Sequence, residues 1–171
     1  ELETEGAIKR SSVVIDCTPK GIGHKNKVKY YQKFSDNVRG FIAQGSEDGF
    51  GKKYARGIND SALDPEDRFI QIVSCNTHNI SCILNNLAVY DDSENLVDSR
   101  FVCIRRASDL SQEGSFIAAP QVGIHSDELY GSHHAKDAFG LFQTLGMDLN
   151  IFSSVMKVNS QYMHVLWFMV V

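Results

Sequence analysis

A cysteine at the junction of a predicted strand and a predicted helix is the first candidate for chemistry in this sequence. In QIVSCNTHNISCIL (71–84) an apolar run ends, and Ser74, Cys75 and Asn76 open a helix-compatible segment. The partial positive charge of a helix N-terminus stabilises a thiolate, so Cys75 is a candidate nucleophile. Asn76 can donate a hydrogen bond to an oxyanion that develops beside it. The alternatives are a buried structural cysteine and a helix-capping asparagine.

Histidines and arginines that can move protons or hold anions lie later in the sequence. His133 and His134 open a predicted helix, where backbone N–H groups favour a phosphate or carboxylate; surface exposure at a helix start is the alternative. His164 lies among apolar residues and is either a base or a satisfied core residue. Arg105 and Arg106 end a predicted strand and can hold a phosphate or form surface salt bridges. These residues alone leave the reaction open between acyl transfer and redox chemistry.

Alternating strands and helices must position the first group of residues. The predicted elements are a strand in SSVVID, a helix from about 24 to 34, a strand at 38–43, a strand in RFIQIV and a helix from Cys75 to about Tyr90. This alternation predicts parallel β-α-β units, whose ligands bind beyond the carboxyl ends of the strands. Thr18, Gly45 and Cys75 each follow a predicted strand. We therefore expect these three residues to line one crevice.

The second half is predicted to contain a strand, a helix and two final strands. The strand is SRFVCIRRAS, and the helix in SHHAKDAFGLFQTLG has Ser132 as its predicted N-cap. Loops are expected at 91–95 and from 108 to about 131. The final segment, NIFSSVMKVNSQYMHVLWFMVV, has the β-branched and aromatic residues typical of two strands. Because it stops within an apolar run, we expect the chain to be a fragment of a longer polypeptide.

Composition limits the classes of partner. The 171 residues carry a net charge of −4 and are 43% hydrophobic and 22% charged, which is typical of a globular protein and argues against nucleic-acid or membrane partners. The four cysteines show no CxxC pair, so they indicate reduced thiols and predict no metal site. The polar N-terminus lacks the apolar core of a signal peptide. We therefore expect a cytoplasmic protein.

Five motifs follow one another in a familiar order and at familiar spacings. They are VVIDCTPKGIG, FIAQGSE, IVSCNT, VCIRRASD and SHHAKD. Together they resemble the archaeal type of phosphorylating glyceraldehyde-3-phosphate dehydrogenase, from about residue 10 to about residue 137. The resemblance implies that Cys75 is the nucleophile and that Ser74 and Asn76 flank it in the substrate pocket. It also implies that His133 and His134 contact the substrate, at its phosphate.

The resemblance implies a nicotinamide cofactor, NAD or NADP. Gly45 matches the glycine whose backbone approaches this cofactor, and Arg106 matches another position in contact with it. His164 falls where the family has a histidine that acts as general base toward the cysteine. This chain reads NSQYMH where the family typically reads PTTLMH, so it lacks the paired threonines at that point.

The activity implied is the oxidative phosphorylation of glyceraldehyde 3-phosphate to 1,3-bisphosphoglycerate through a cysteine thioester. The fold implied is α/β. A remnant of a dinucleotide-binding domain, residues 1–74, carries the end of a Rossmann-like parallel sheet. An α+β catalytic domain with a mixed or antiparallel sheet follows in residues 75–171. The resemblance also implies a homotetramer that binds small-molecule substrates, glyceraldehyde 3-phosphate and inorganic phosphate.

Alternatives stay open because the sequence lacks the G-x-G-x-x-G turn of a dinucleotide-binding domain. GIGHKNK follows a strand but has no third glycine at the required spacing. We therefore expect the chain to correspond to the middle of the enzyme and to be inactive alone. A semialdehyde or acyl-phosphate reductase of similar architecture is one alternative. A truncated, non-catalytic assembly module is the other.

Overall fold

The chain divides into two compact units, each with its own sheet. The structure is a computed structural model that describes residues 2–45, 47–89, 96–106, 119–125, 127–160 and 163–171. The units are Glu1–Cys75 and Asn76–Val171, and the described residues of each form one four-stranded sheet. The loop predicted at 91–95, the helix end predicted near Tyr90 and most of the loop predicted from 108 to 131 lie outside the described residues.

The first unit is built on a fully parallel sheet. Its elements are α1 (Leu2–Arg10), β1 (Val13–Asp16), α2 (Ile22–Lys29), a 3₁₀ turn (Tyr31–Phe34), β2 (Gly40–Ala43), β3 (Lys52–Tyr54), a second 3₁₀ turn (Asp60–Ala62) and β4 (Phe69–Ile72). The strand order is β1-β2-β4-β3, and every neighbouring pair is parallel. Because the strands run in one direction, their carboxyl ends lie along one edge of the sheet. Segments that follow β2 and β4 therefore start side by side.

Aromatic rings form the core of the first unit. Tyr31 stacks on Phe41 with ring centroids 4.8 Å apart, and Phe41 stacks on Phe69 at 5.2 Å. Phe50 packs edge-on against Tyr31 and Phe69. The Tyr31 hydroxyl donates to the buried carboxylate of Asp16 at 2.7 Å. Burial of the phenol and the adjacent Asp16 carboxylate raise the pKa of Tyr31, so the hydroxyl keeps its proton and this hydrogen bond.

Two predicted elements of this unit have different bounds in the structure. The helix predicted from 24 to 34 is α2 followed by a 3₁₀ turn, because the chain tightens there to bring Tyr31 into the core. The strand predicted at 38–43 begins at Gly40. Its first two predicted residues belong to the preceding turn, where Val38 N–H donates to the Phe34 carbonyl at 2.9 Å.

The second unit contains a mixed sheet. Its elements are the helix α3 (Cys75–Leu84), which starts at the last residue of the first unit, a π-helical turn (Asn85–Val89), β5 (Ser99–Arg106), β6 (Gln121–Val122), α4 (His133–Gln143), β7 (Ile151–Val158) and β8 (Val165–Val170). The strand order is β6-β7-β5-β8; β5 and β7 are parallel, and the outer pairs are antiparallel. The two predicted final strands and the predicted fold class, α/β with a parallel sheet followed by a mixed one, are confirmed.

The crossover from β5 to β7 contains α4, because parallel neighbours cannot be joined by a tight hairpin. The buried face of α4 carries Ala135, Ala138, Leu141 and Phe142, and the helix packs against β7. This packing brings the N-terminus of α4 to the sheet. None of the helices in the described residues is long and apolar enough to cross a membrane.

Candidate active site

Cys75 is the first residue of α3 and its side chain is exposed. The predicted strand-to-helix junction is therefore present: β4 ends at Ile72, and two residues separate it from the helix. The first N–H groups of a helix have no intrahelical acceptors, which leaves a partial positive charge at this end. Cys103 is buried and Cys82 half-buried, and Cys17 shares the exposure of Cys75. Among these thiols, Cys75 combines exposure with a position that favours an anion.

The two neighbours of Cys75 differ in exposure. Ser74 is half-buried, and Asn76 is 1% exposed. The Nδ2 atom of Asn76 has no hydrogen-bond partner within the part of the chain that the structure describes. A buried amide donor without an acceptor costs free energy, and such groups mark places where a ligand or a water completes the bonding.

Gly45 lies two residues beyond the end of β2 and contacts the segment that follows β4. A Cβ atom added to Gly45 would lie 2.7 Å from the Cα and 2.8 Å from the N of Ser74, closer than real atoms approach. The expected proximity of Gly45 to the cysteine loop is therefore present in the first unit. Thr18, also expected at this edge, is exposed, and both its N–H and its hydroxyl donate to Asp16.

Serine hydroxyls join the start of α4 to β7 by hydrogen bonds. Ser132 occupies the predicted N-cap position, but its side chain makes no capping bond. Its hydroxyl lies 2.7 Å from that of Ser153, and the Ser153 hydroxyl accepts the N–H of Ala135 at 3.1 Å. The prediction that Ser132 caps the helix is wrong for its side chain, because a serine from the neighbouring strand takes that role. A cap contributed from another element has no local sequence signal.

Replacing Ser153 with alanine should destabilise the protein more than replacing Ser132. Ser153→Ala leaves the buried Ala135 N–H and the Ser132 hydroxyl without this partner, which costs about 1–3 kcal/mol of unfolding free energy. Ser154→Ala, on the other face of β7, is the control and should have little effect. Urea unfolding of the three variants measures this difference. If Ser153→Ala and Ser154→Ala lose the same free energy of unfolding, Ser153 does not cap α4.

The adjacent histidines of α4 have opposite surroundings. His133 is exposed, whereas His134 is 2% exposed, and their ring centroids are 3.9 Å apart. Burial lowers the pKa of His134 to about 3, and positive charge on His133, Arg105 and His164 contributes to the shift. His134 is therefore neutral near pH 7, and His133 is the exposed ring of the pair. The sequence pattern could have predicted the burial of His134, because His134, Ala138 and Leu141 follow i, i+4, i+7 spacing along one helix face.

Acid should destabilise the protein through His134. Its pKa is about 3 in the folded protein, against 6.5 for an ordinary histidine. Below pH 6.5 the unfolded chain binds a proton that the folded ring does not, so the free energy of unfolding falls as the pH drops toward 3. Between pH 7 and pH 5 we expect a loss of about 2 kcal/mol from this group.

His134→Gln should remove that part of the pH dependence, and His133→Gln should keep it. Urea unfolding of each variant at pH 7 and pH 5 makes the comparison. If wild type and His134→Gln lose the same stability between the two pH values, the side chain is not held neutral by burial.

A cavity of about 350 Å³ opens in the second unit at the start of α4. Its lining consists of Arg105, Gln121, Val122, Gly123, Ile124, Ser132, His133, Val155 and Lys157. Arg105 and Lys157 are register partners on β5 and β7, so the two cations lie side by side on one face of the sheet. Nε of Arg105 is buried and has no acceptor among the described residues. Two adjacent cations, an imidazole and a helix N-terminus form a cavity suited to an anion.

Lys157 was not predicted from the sequence as a site residue. Its place beside Arg105 depends on the pairing register of β5 with β7, and strands this far apart in sequence give no local sign of their register. Arg105, which the sequence offered as a possible phosphate ligand, lines the cavity, and Arg106 does not.

His164 lies just before β8 and is half-buried. Its Nδ1 accepts a hydrogen bond from the backbone N–H of Arg106 at 3.4 Å. The chain thus places His164 at the end of β5, next to the predicted cofactor residue Arg106. His164 also contributes to the low pKa of His134, so these two histidines belong to one cluster of the second unit. Among the described residues no group of three or more histidines, cysteines and carboxylates could hold a metal ion.

No protein-family model matches the chain, but it is similar to a class of archaeal dehydrogenases. The curated relatives are glyceraldehyde-3-phosphate dehydrogenases. That of Methanobacterium bryantii is 31% identical over 161 residues, which cover 92% of this chain and 43% of the relative. The protein of Pyrobaculum islandicum is 27% identical over 165 residues, 94% of this chain and 44% of the relative. The protein of Archaeoglobus fulgidus is 27% identical over 174 residues, 96% of this chain and 46% of the relative.

These relatives confirm the predicted resemblance: the chain is similar to archaeal glyceraldehyde-3-phosphate dehydrogenases. The similarity covers more than nine tenths of the chain and therefore includes residues of both compact units. The chain spans less than half the length of the curated relatives it matches.

Proposed function

We propose that the protein carrying this chain is a phosphorylating, NAD(P)-dependent glyceraldehyde-3-phosphate dehydrogenase, in which Cys75 is the nucleophile. The observation that carries this proposal is the exposed thiol of Cys75 at the first residue of α3, with the Gly45 loop packed against its neighbour Ser74. The curated relatives that carry the name glyceraldehyde-3-phosphate dehydrogenase support the same function.

Gly45 fits a nicotinamide cofactor. Its missing side chain lets two backbone segments meet beside Cys75, and any Cβ there would collide with Ser74. Glycine is used where backbone must approach a ligand or another segment closely. We propose that the backbone of Gly45 approaches the nicotinamide ring of NAD or NADP, and that Arg106 is another residue in contact with the cofactor. When bound, that ring supplies the acceptor for a hydride.

Cys75 performs the covalent steps in this mechanism. Its thiolate attacks the aldehyde carbon of glyceraldehyde 3-phosphate, a carbon–sulfur bond forms, and the carbonyl oxygen becomes an alkoxide. Loss of hydride from that carbon converts the adduct into a thioester. Inorganic phosphate then attacks the thioester, the carbon–sulfur bond breaks, and Cys75 leaves as thiolate with release of 1,3-bisphosphoglycerate.

Asn76 and the amides of the first turn of α3 stabilise the oxygen on which charge develops. Asn76 carries a buried Nδ2 donor without a hydrogen-bond partner among the described residues. Donors already aimed at a developing oxyanion need no rearrangement during the reaction. Ser74 lines the substrate pocket beside them in this proposal.

His164 is the proposed general base: it accepts the proton whenever the oxygen of the adduct is present as a hydroxyl. The backbone N–H of Arg106 donates to its Nδ1 at 3.4 Å, which holds the ring at the end of β5. His133, which is exposed, is the second candidate for the base. His134 is buried beside these rings and neutral near pH 7, so we do not propose it as the base.

The cavity of the second unit is the proposed phosphate site. Like charges side by side on a sheet repel each other, and an anion between Arg105 and Lys157 relieves that cost. His133 lines the same cavity and adds a hydrogen-bond donor. We propose that these three side chains hold a phosphate of the reaction, and that the predicted role of the His133–His134 pair falls to His133.

A phosphate-dependent assay tests the proposed function. The purified protein that carries this chain is supplied with glyceraldehyde 3-phosphate and NAD or NADP, with and without inorganic phosphate, and reduced nicotinamide is followed by absorbance. We expect sustained reduction only when phosphate is present, because phosphate must cleave the thioester. Turnover that continues without phosphate would point to hydrolysis of the thioester. Faster phosphate-dependent oxidation of a semialdehyde than of glyceraldehyde 3-phosphate would favour a semialdehyde or acyl-phosphate reductase, assayed in its reverse direction.

A further inference from the structure

The carboxylate of Glu47 joins two segments of the first unit. Glu47 is 3% exposed, and it lies in the loop that follows β2 and Gly45. One carboxylate oxygen accepts the N–H of Gly21, and the other accepts the N–H of His24 at 2.9 Å. These are first-turn donors of α2, where a negative charge is favourable. Glu47 therefore caps a helix that lies 23 to 26 positions earlier in the chain.

The glycines of GIGHKNK make room for this contact. Gly21 has φ of +82°, a left-handed conformation that suits glycine, and it stands at the N-cap of α2. A Cβ added to Gly23 would lie 3.0 Å from both Cγ and Oε2 of Glu47. The α2 N-terminus, which in a nucleotide-binding turn would face phosphate, is thus filled by a carboxylate of the same chain.

The same loop also contacts β4 and the segment that follows β4. The N–H of Gly49 donates to the buried side chain of Gln71 on β4 at 3.1 Å. The carbonyl of Asp48 lies 2.8 Å from Nε2 of His24. Gly45 itself packs against Ser74. The loop is therefore held between α2 and the carboxyl end of β4, next to the nucleophile.

We propose that Glu47 is a positioning residue that clamps this loop and so holds Gly45 against Ser74. This inference rests on the proposed function for its kinetic readout. Without the clamp the loop separates from α2, Gly45 leaves its place beside Ser74, and the nicotinamide cofactor binds more weakly. We expect the chemistry at Cys75 to change little, because the carboxylate of Glu47 bonds to Gly21 and His24 at the start of α2.

Kinetics of Glu47→Ala and Glu47→Gln test the clamp, with Tyr31→Phe as the matched control. Tyr31→Phe removes a buried hydrogen bond to Asp16 and keeps the ring that packs against Phe50 of the loop. For Glu47→Ala we expect KM for the cofactor to rise about tenfold with kcat within about twofold, since two capping bonds are lost. Glu47→Gln keeps one acceptor and should fall between wild type and alanine. Tyr31→Phe should lower Tm and leave KM unchanged.

Amide hydrogen exchange at Gly45 and Ser74 gives a readout that needs no activity. Faster exchange at both positions in Glu47→Ala or Glu47→Gln, and unchanged exchange in Tyr31→Phe, supports the clamp. A lower Tm with unchanged KM and unchanged exchange would reduce Glu47 to a structural cap and overturn the proposal. If the wild-type protein reduces no nicotinamide, the proposed function fails, and the exchange data alone still decide the role of Glu47.

Discussion

Cys75→Ser is expected to abolish the reduction of NAD or NADP by glyceraldehyde 3-phosphate, a fall of at least about a thousandfold. A serine hydroxyl has the same shape as the thiol but stays protonated near neutral pH, so it cannot supply the anion that attacks the aldehyde. The side chain of Cys75 is exposed, so the substitution opens no core cavity and the fold should be kept. Steady-state rates at saturating substrate, with circular dichroism to check the fold, make the measurement.

Cys17→Ser is the matched control for this experiment. Cys17 is also exposed and also belongs to the first unit, but it follows β1 and does not begin a helix. We expect Cys17→Ser to keep the wild-type rate. A Cys75→Ser protein that keeps most of its activity would exclude the thioester mechanism for this chain.

His164→Asn is expected to lower kcat by roughly 10²–10⁴-fold, the range typical of a lost general base. The rate of the variant should also lose the dependence on pH that an imidazole gives. Asparagine retains a polar side chain at the end of β5 but cannot accept a proton near neutral pH. Comparing pH profiles of kcat for the wild type and the variant measures the effect.

His125→Gln serves as control, because His125 is an exposed histidine of the same unit whose Nε2 lies 3.4 Å from the N of Val155. It should leave the profile unchanged. A nearly normal rate for His164→Asn would transfer the role of base to His133, since His134 is buried and neutral.

The features that could be predicted from the sequence are those that the local residue pattern and the direction of the strands determine. An apolar run followed by Cys75 and helix-compatible residues predicted the strand-to-helix junction, and the structure has it. Alternating elements predicted a parallel sheet, whose geometry places the ends of β2 and β4 together. The contact of Gly45 with Ser74 follows from that arrangement.

Contacts between residues far apart in the chain were not predictable in the same way. Ser153 caps α4, and Glu47 caps α2, although neither lies near its helix in sequence. The pairing of Arg105 with Lys157 depends on the register of two strands separated by a crossover. Each of these contacts is determined by tertiary packing, and propensity or periodicity carries no information about it.

The rate at which iodoacetamide alkylates Cys75, compared with Cys17, shows whether Cys75 is an activated thiol. Both thiols are exposed, so accessibility alone predicts similar rates, and a difference reports how readily each forms the thiolate. Mass spectrometry of the native protein at neutral pH follows both residues in one sample. We expect Cys75 to be modified at least about tenfold faster than Cys17. Equal rates, or slower modification of Cys75, would contradict the claim that this cysteine is an activated nucleophile.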